Sequence, residues 1–375
     1  MSVGGFTALC SSVCSFGICF GSPTSIFSTT STPADKVRLL SLDVLFILGG
    51  VFLAVLALLV YALVRYRARQ GDASEPPQVF GSAQIELAWT IIPTLIIVML
   101  FLGTARVVFE VQDAPAPSSA LKVTVVGHQY WWEFRYPKYN VVTANELHIP
   151  VSDPKNPTPT YMKLTSADVI HSFWVPSLAG KTDLLPNRVN EMWVDPHKAG
   201  MYEGQCAQFC GAQHAKMLLR VYVDTPDQFQ RWIAMQQQEA KDLPPGILSN
   251  VDLDAGGSKS SDTVSAPRLK EVTVRGAADG FEQITPQQGQ RVFEHQACIS
   301  CHVVRGTVAN GHFGPDLTHL MSRSTIAAGI APNTPENLLT WITDPNKMKP
   351  GSLMPAMHLT SIENRQITAY LTTLH

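Results

Sequence analysis

Two uncharged apolar runs restrict this chain more than any other feature. Val44 to Val64 spans 21 residues and Leu87 to Ala105 spans 19, and neither contains a charged side chain. At 1.5 Å per residue the first reaches about 30 Å, the thickness of the hydrocarbon core of a bilayer. Pro93 interrupts the second, which a membrane helix tolerates. One such run fits a buried soluble helix; two argue for a transmembrane hairpin, expected over residues 36–112. Arg65, Arg67 and Arg69 fill the polar loop between the runs, while Lys36, Arg38 and Arg106 flank the other ends. The positive-inside rule therefore puts the loop in the cytoplasm and both outer ends outside, by a thin margin.

The rest of the chain is not apolar enough to be membrane. Over all 375 residues 15% are charged, with Lys+Arg 28 against Asp+Glu 30. That balance excludes a disordered polyelectrolyte and gives no basic excess for nucleic acid. Residues 1–35 are rich in Gly, Ser, Thr and Cys, with an apolar stretch from Phe6 to Phe27. They read as a disordered N-terminus holding an export signal, although the positive region expected ahead of such a signal is missing. A misassigned start codon is the alternative. Cys10, Cys14 and Cys19 follow no lipoprotein pattern.

After Pro115 and Pro117 the texture changes. Lys122 to Val126 alternates polar and apolar, as a half-buried strand does, and short β-rich runs continue to Asp224. The expectation for 118–224 is an all-β barrel or sandwich. Thr225-Pro226-Asp227-Gln228 reads as a capping box opening a polar helix. Gly, Ser, Asp and Pro then dominate to about Gly280, so 225–280 reads as a helix followed by a flexible linker. Residues 281–375 carry helix signatures at Thr285-Pro286, Thr334-Pro335 and Thr360-Ser361-Ile362-Glu363, which predicts an all-α unit.

The densest chemistry lies in Cys206-Ala-Gln208-Phe-Cys210-Gly-Ala-Gln-His214-Ala-Lys-Met217. Two thiols, an imidazole and a thioether fall within 12 residues. Soft sulfur with imidazole suits copper or zinc rather than magnesium or calcium. His171 can supply a second imidazole from upstream. A second thiolate lets two sulfurs bridge two metal ions, and an electron shared between them changes each ion's charge by half a unit. A structural zinc site of two Cys and two His, or a Cys206–Cys210 disulfide, satisfies the same spacing.

Three segments carry a resemblance. Ala167-Asp168-Val-Ile-His171-Ser-Phe-Trp, the Cys206 to Met217 loop and Gly127-His128-Gln129-Tyr130-Trp131-Trp132 resemble cytochrome c oxidase subunit II over about residues 40–225. The resemblance implies a cupredoxin-like barrel outside the membrane with a dinuclear copper A centre. In it Cys206 and Cys210 bridge both coppers, His171 and Met217 complete one, and His214 and the backbone carbonyl of Gln208 complete the other. The family usually has Glu at that last position, whose carboxylate also binds magnesium. A neutral Gln208 amide is a weaker ligand for a hard cation, so the magnesium contact stays open. The family's electron-accepting Trp aligns with Tyr130. Tyr130 and Trp131 are thus candidates for electron uptake, with core aromatics as the alternative. Glu86 matches the family Glu at the mouth of a proton channel into subunit I; an interfacial anchor is the plainer reading.

Cys298-Ile-Ser-Cys301-His302 is the attachment motif of a c-type haem. A redox pair or half a zinc site explains Cys-x-x-Cys without the His. Gly289-x-x-x-Phe293, Gly314-Pro315-Asp316-Leu317 and Leu353-Met354-Pro355 resemble class I cytochrome c. That resemblance implies covalent haem c on Cys298 and Cys301, with His302 bonded to the Pro315 carbonyl. Met354 is the expected sixth ligand and Met357 its rival.

The layout is that of a bacterial oxidase subunit II fused to a cytochrome c. It implies a multi-pass protein of the bacterial inner membrane with both cofactor domains on the periplasmic face. The partners are oxidase subunit I, other oxidase subunits and an external donor, either cytochrome c or an upstream respiratory complex. Electrons pass from haem c to copper A to subunit I, where oxygen is reduced and protons are translocated. No catalytic residue is expected in this chain. A stand-alone membrane-anchored electron carrier fits the same motifs. A linker of about 40 residues would give the haem domain an r.m.s. reach of roughly 35 Å.

Overall fold

The computed structural model describes residues 24–67, 78, 81–112, 120–153, 155, 157–240, 273–275 and 281–375. The export-signal reading falls mainly on 1–23, and the linker mainly on 241–272; both lie outside the described residues. Two long helices come first, α1 (Thr32–Arg65) and α2 (Ala83–Gln112). Pro33 sits in the first turn of α1, where its missing N–H costs nothing. Their apolar side chains face outward: Phe46 is 83% exposed and Phe101 67%. Two such surfaces in water would be untenable, and in lipid they are the stable arrangement. At one end Lys36 Nζ of α1 meets Glu110 Oε2 of α2 at 2.9 Å.

The boundary drawn at residue 35 needs correction. Helix α1 begins at Thr32, and the residues before it are anchored on the β domain. Thr30 N donates to the Ser177 carbonyl (2.9 Å) and His197 N to the Thr30 carbonyl (2.8 Å). The fully buried Ser31 hydroxyl accepts from Asp195 N at 2.9 Å. A Ser/Thr-rich segment looks disordered from composition, but here its hydroxyls and amides pair with strand ends. The other end of the hairpin reaches the same domain through Trp193 Nε1, which donates to the Val111 carbonyl at 2.7 Å.

Ten strands follow: β1 (Leu121–His128), β2 (Trp131–Tyr136), β3 (Val141–Ala144), β4 (Glu146–Pro150), β5 (Thr160–Ser166), β6 (His171–Trp174), β7 (Thr182–Leu184), β8 (Asn190–Val194), β9 (Gly200–Cys206) and β10 (Leu218–Asp224). They form two five-stranded sheets, β3-β2-β1-β5-β8 and β4-β10-β9-β6-β7. Alternation decides what faces inward: Leu219, Val221 and Val223 of β10 are buried while their neighbours are half-exposed. With Trp132, Phe134, Leu147, Met162 and Phe173 they fill the space between the sheets. Helix α3 (Pro226–Gln236) opens with the expected capping box, Thr225 with Gln228.

The C-terminal unit contains α4 (Pro286–His295), the one-turn α5 (Cys298–Cys301), α6 (Pro335–Thr343), α7 (Pro345–Met348) and α8 (Ser361–Leu371). It is not wholly helical. Strands β11 (Thr273–Arg275) and β12 (Phe281–Gln283) pair ahead of it, and β13 (Thr325–Ile326) and β14 (Ala331–Pro332) pair within it. Helix α4 packs on α8 through Gly289, where a Cβ would lie 1.8 Å from the Gln366 carbonyl oxygen. No residue but glycine permits that approach.

This unit is seated on the β domain, so contact fixes their separation and tether length does not. The buried Glu146 carboxylate accepts from the backbone N–H and hydroxyl of both Ser324 and Thr325, at 2.8 to 3.1 Å. Arg220 Nη1 donates to Thr325 Oγ1 (3.0 Å), and Leu218 N to the Ala328 carbonyl (3.2 Å). Lys216 Nζ donates to the Met348 carbonyl (3.1 Å), and Gln213 Nε2 to that of Pro350.

Candidate metal and haem sites

The loop between β9 and β10 brings the soft donors together. Cys206 closes β9, His171 opens β6 beside it, and Met217 directly precedes β10. Cys206 Sγ lies 3.8 Å from Cys210 Sγ, 3.9 Å from His171 Nδ1 and 3.2 Å from the Gln208 carbonyl. Cys210 Sγ lies 3.8 Å from His214 Nδ1 and 3.9 Å from Met217 Sδ. All six predicted donors therefore converge. His171 and Met217 are fully buried and the two Cys nearly so. Both thiols are free, against the disulfide reading. Six donors exceed the four of a structural zinc site, and the thioether and carbonyl are surplus to it. The set fits two soft ions sharing two sulfurs.

The protonation of the pair points the same way. The two sulfurs are within hydrogen-bond range of each other, and that contact with Cys210 pulls the Cys206 pKa down to about 3. That negative charge in turn holds the Cys210 proton strongly in place.

A second ring of residues fixes the donors. Asp168 Oδ1 is 2.8 Å from His171 Nε2, which leaves Nδ1 facing Cys206. Burial opposes the Asp168 charge, but bonds from His171 and the Gln129 and Val169 amides outweigh it and hold its pKa below the usual range. Gln129 Nε2 donates to the Cys210 carbonyl (2.7 Å), and the Tyr130 hydroxyl accepts from Ala212 N (3.1 Å). Trp132 is core, fully buried against His171 and Phe173. Trp131 stacks on His128 with ring centres 4.2 Å apart. The Gln208 side chain is exposed, so only its carbonyl turns toward the sulfurs.

A cleft lies next to this loop. Cys298, Cys301, His302, Met354 and Met357 line it from the C-terminal unit, and Gln129, Tyr130 and Trp131 line it from the β domain. His302 Nδ1 sits 2.8 Å from the Pro315 carbonyl. Burial lowers the His302 pKa, so the ring is neutral and its other nitrogen can bind a metal. Gly314 passes under the ring: a Cβ there would meet His302 Cε1 at 2.6 Å. Thiols and imidazole on one wall and two thioethers on another are the donor set of a c-type haem with His/Met ligation. Both Met354 and Met357 face the cleft. Glu86 is remote from both sites, in the first turn of α2, at the end of the hairpin away from the β domain.

Sequence reasoning missed three polar residues. Asp168 lay in a recognised segment without a role. Glu146 and Lys349 carried no local signal, because their partners are 178 and 219 residues away.

The fold and sites define a membrane-anchored subunit with a β-sandwich metal domain and a cytochrome c domain. Residues 23–106 match the family described as cytochrome c oxidase subunit II, transmembrane domain; 154–223 match its periplasmic domain; and 286–375 match cytochrome c. Cytochrome c oxidase subunit 2 of Alkalihalophilus pseudofirmus is 32% identical over 338 residues, covering 88% of this chain and 85% of the relative. Its counterpart in Bacillus sp. (strain PS3) is 31% identical, covering 82% and 80%. The crystal structure of the periplasmic domain of cytochrome oxidase subunit II of Bradyrhizobium japonicum is 29% identical, with a TM-score of 0.30, covering 33% of this chain and 97% of that one. This chain belongs to the cytochrome c oxidase subunit II family.

Proposed function

We propose that this chain is the electron-accepting subunit of a haem-copper cytochrome c oxidase of the bacterial inner membrane. In this reading Cys206, Cys210, His171, His214, Met217 and the Gln208 carbonyl hold copper A. Cys298, Cys301 and His302 hold haem c, with Met354 as sixth ligand. The convergence of six donors beside a Cys-x-x-Cys-His cleft carries the proposal. When bound, the two groups would supply one-electron carriers through which electrons from an external donor would reach subunit I for oxygen reduction coupled to proton translocation.

The chain's own residues orient and connect these sites. Asp168 and the Pro315 carbonyl each fix one imidazole, which sets its tautomer and basicity. Gln129 and Tyr130 span from the cleft wall to the Cys210–Ala212 backbone. Because the haem unit covers that segment, an external donor meets the haem cleft first, and Tyr130 and Trp131 serve as an internal relay. Both outer ends of the hairpin attach to the β domain. A c-type haem is attached outside the cytoplasm, so this side is periplasmic. Glu86 then lies on the cytoplasmic side, as a proton-channel entrance requires.

Electron paramagnetic resonance of the oxidised, copper-loaded full chain in detergent tests this reading. The expected signal is one electron shared equally by two coppers, on a protein that copurifies with an oxygen-reducing subunit. A single-copper pattern, or zinc in place of copper, would overturn it.

A further inference from the structure

The chain that leads into Met354 is bonded to the copper loop along consecutive residues. Lys216 Nζ donates to the Met348 carbonyl (3.1 Å) and Gln213 Nε2 to the Pro350 carbonyl. Lys349, between them, is 3% exposed, and its Nζ donates to the Tyr130 carbonyl at 2.7 Å. At Gly351, whose φ is +83°, a Cβ would lie 3.5 Å from Ala212 Cβ, so the chain passes close to the copper loop there too. Gln213 and Lys216 are interleaved with the donors: Gln213 directly precedes the 3₁₀ turn His214–Lys216, and Met217 directly follows it.

The segment 344–352 is stiff in itself. Asp344 Oδ1 accepts from Asn346 N (3.0 Å), the Pro345 carbonyl from Lys349 N (2.9 Å), Asn346 Oδ1 from Gly351 N (2.8 Å) and the Lys349 carbonyl from Ser352 N (3.0 Å). The next stretch is the opposite. Among the described residues, Leu353 to His358 make no hydrogen bond. A segment without bonds of its own opens at low cost and takes its position from its fixed ends. Met354 comes two residues after Ser352, the last residue of the stiff segment.

We propose that Lys216, Gln213 and Lys349 are positioning residues for the sixth ligand of haem c, tying the place of Met354 to the state of the copper loop through the 344–352 segment. This rests on the functional reading that the loop holds copper and the cleft holds covalent haem. Metal held by Cys210, His214 and Met217 fixes the loop that carries Gln213 and Lys216. Fixing that loop holds the 344–352 segment, and Met354 then has less freedom to leave. The coupling is reciprocal, so a seated Met354 favours the metal-bound loop by the same factor. Haem attachment at Cys298 and Cys301 takes no part in it.

The test is the rate at which imidazole displaces the methionine from ferric haem c in the full chain in detergent. Loss of the methionine-to-iron charge-transfer band reports it, at imidazole levels that leave the copper spectrum unchanged. In wild type, copper loading should slow displacement by at least about fivefold, the lower end of ordinary coupling between sites. Gln213→Ala with Lys216→Met should speed displacement from the copper-loaded chain by about tenfold, the scale of one net hydrogen bond, and abolish the copper effect. Lys216→Arg, which keeps a donor for the Met348 carbonyl, should behave as wild type. Should the double variant fail to load copper, Lys216→Met alone carries the same direction of change. Met354→Leu should remove the charge-transfer band. Wild-type rates in the double variant, or a copper effect that survives in it, overturn the proposal. A band that persists in Met354→Leu also overturns it, because Met357 then holds the sixth position. A wild-type chain without covalent haem or without copper overturns it together with the functional reading.

Discussion

The copper loop and the haem cleft are neighbours built on opposite plans. In the copper loop every donor already points inward: the two sulfurs are 3.8 Å apart and the two imidazoles and the thioether lie within 3.9 Å of one or the other. The haem cleft lies between two units and is lined by residues of both. On the proposed reading, the difference follows from what each site would hold. Two ions need a handful of lone pairs at short range, which one loop and one strand end can supply. A macrocycle needs surface on both faces, which only packed elements from two units provide. The copper site should therefore fail through single donors, and the haem site through loss of its surroundings.

The largest expected effect is Cys210→Ser. A hydroxyl is a hard and weakly acidic replacement for a thiolate, so the bridge between two soft ions is lost. Copper uptake should fall to one ion or none by metal analysis, while covalent haem, attached at Cys298 and Cys301, stays at wild-type content. Loss of haem in that variant would break the claim that the two sites form independently. Next comes Glu146→Ala. It removes the carboxylate that accepts from two backbone N–H groups and two hydroxyls of the haem unit at a buried interface. Removing a buried charged partner of this kind costs about 2–5 kcal/mol. With a protease site inserted at Ser258, the cut wild-type chain should stay associated and the cut Glu146→Ala chain should separate on a sizing column. Co-elution of both would show that the haem unit is held by other contacts.

What could be read in advance followed the same division. The hairpin, the Cys206 to Met217 set and Cys298-Ile-Ser-Cys301-His302 are local in sequence, so periodicity and spacing expose them. His171, 35 residues before Cys206, was legible only as an available upstream imidazole, and the family resemblance gave it its place in the ligand set. Lys349 on Tyr130 and Glu146 on Ser324 join segments that only tertiary packing brings together, and no local pattern announces them. The linker suggested a tethered domain because its composition describes the connection and says nothing of the surfaces at either end. Residues 28–35 misled for a related reason, since hydroxyl-rich segments are polar whether they face water or strand ends.

Asp168→Asn sharpens the comparison from the second ring of the copper site. The amide keeps the shape but loses the charge that orients His171. Copper affinity should drop by about 10–100-fold in a competition with a chelator. The carboxylate also links the fold to pH. Its folded pKa is held below the ordinary Asp value of about 3.9, so it contributes stability that is fully present above that value and is lost as pH falls through the depressed pKa. Acid unfolding of the metal-free chain should therefore be steeper in wild type than in Asp168→Asn below about pH 4. Parallel acid limbs would mean that the charge is not used in the folded state.

The smallest effect belongs to Gln208, and it separates what the backbone does from what the side chain does. Its carbonyl faces Cys206 at 3.2 Å while its side chain is exposed. A carbonyl survives any substitution, so Gln208→Ala should leave copper uptake and the copper spectrum unchanged, with stability within about 0.5 kcal/mol of wild type. Gln208→Glu should leave the copper signal alone too, yet place a carboxylate where a hard cation can bind it. In the assembled oxidase, replacing magnesium by manganese should then give a stronger paramagnetic signal coupled to the copper centre in Gln208→Glu than in wild type. A copper spectrum altered by Gln208→Ala would mean that the side chain, not the carbonyl, completes the second copper.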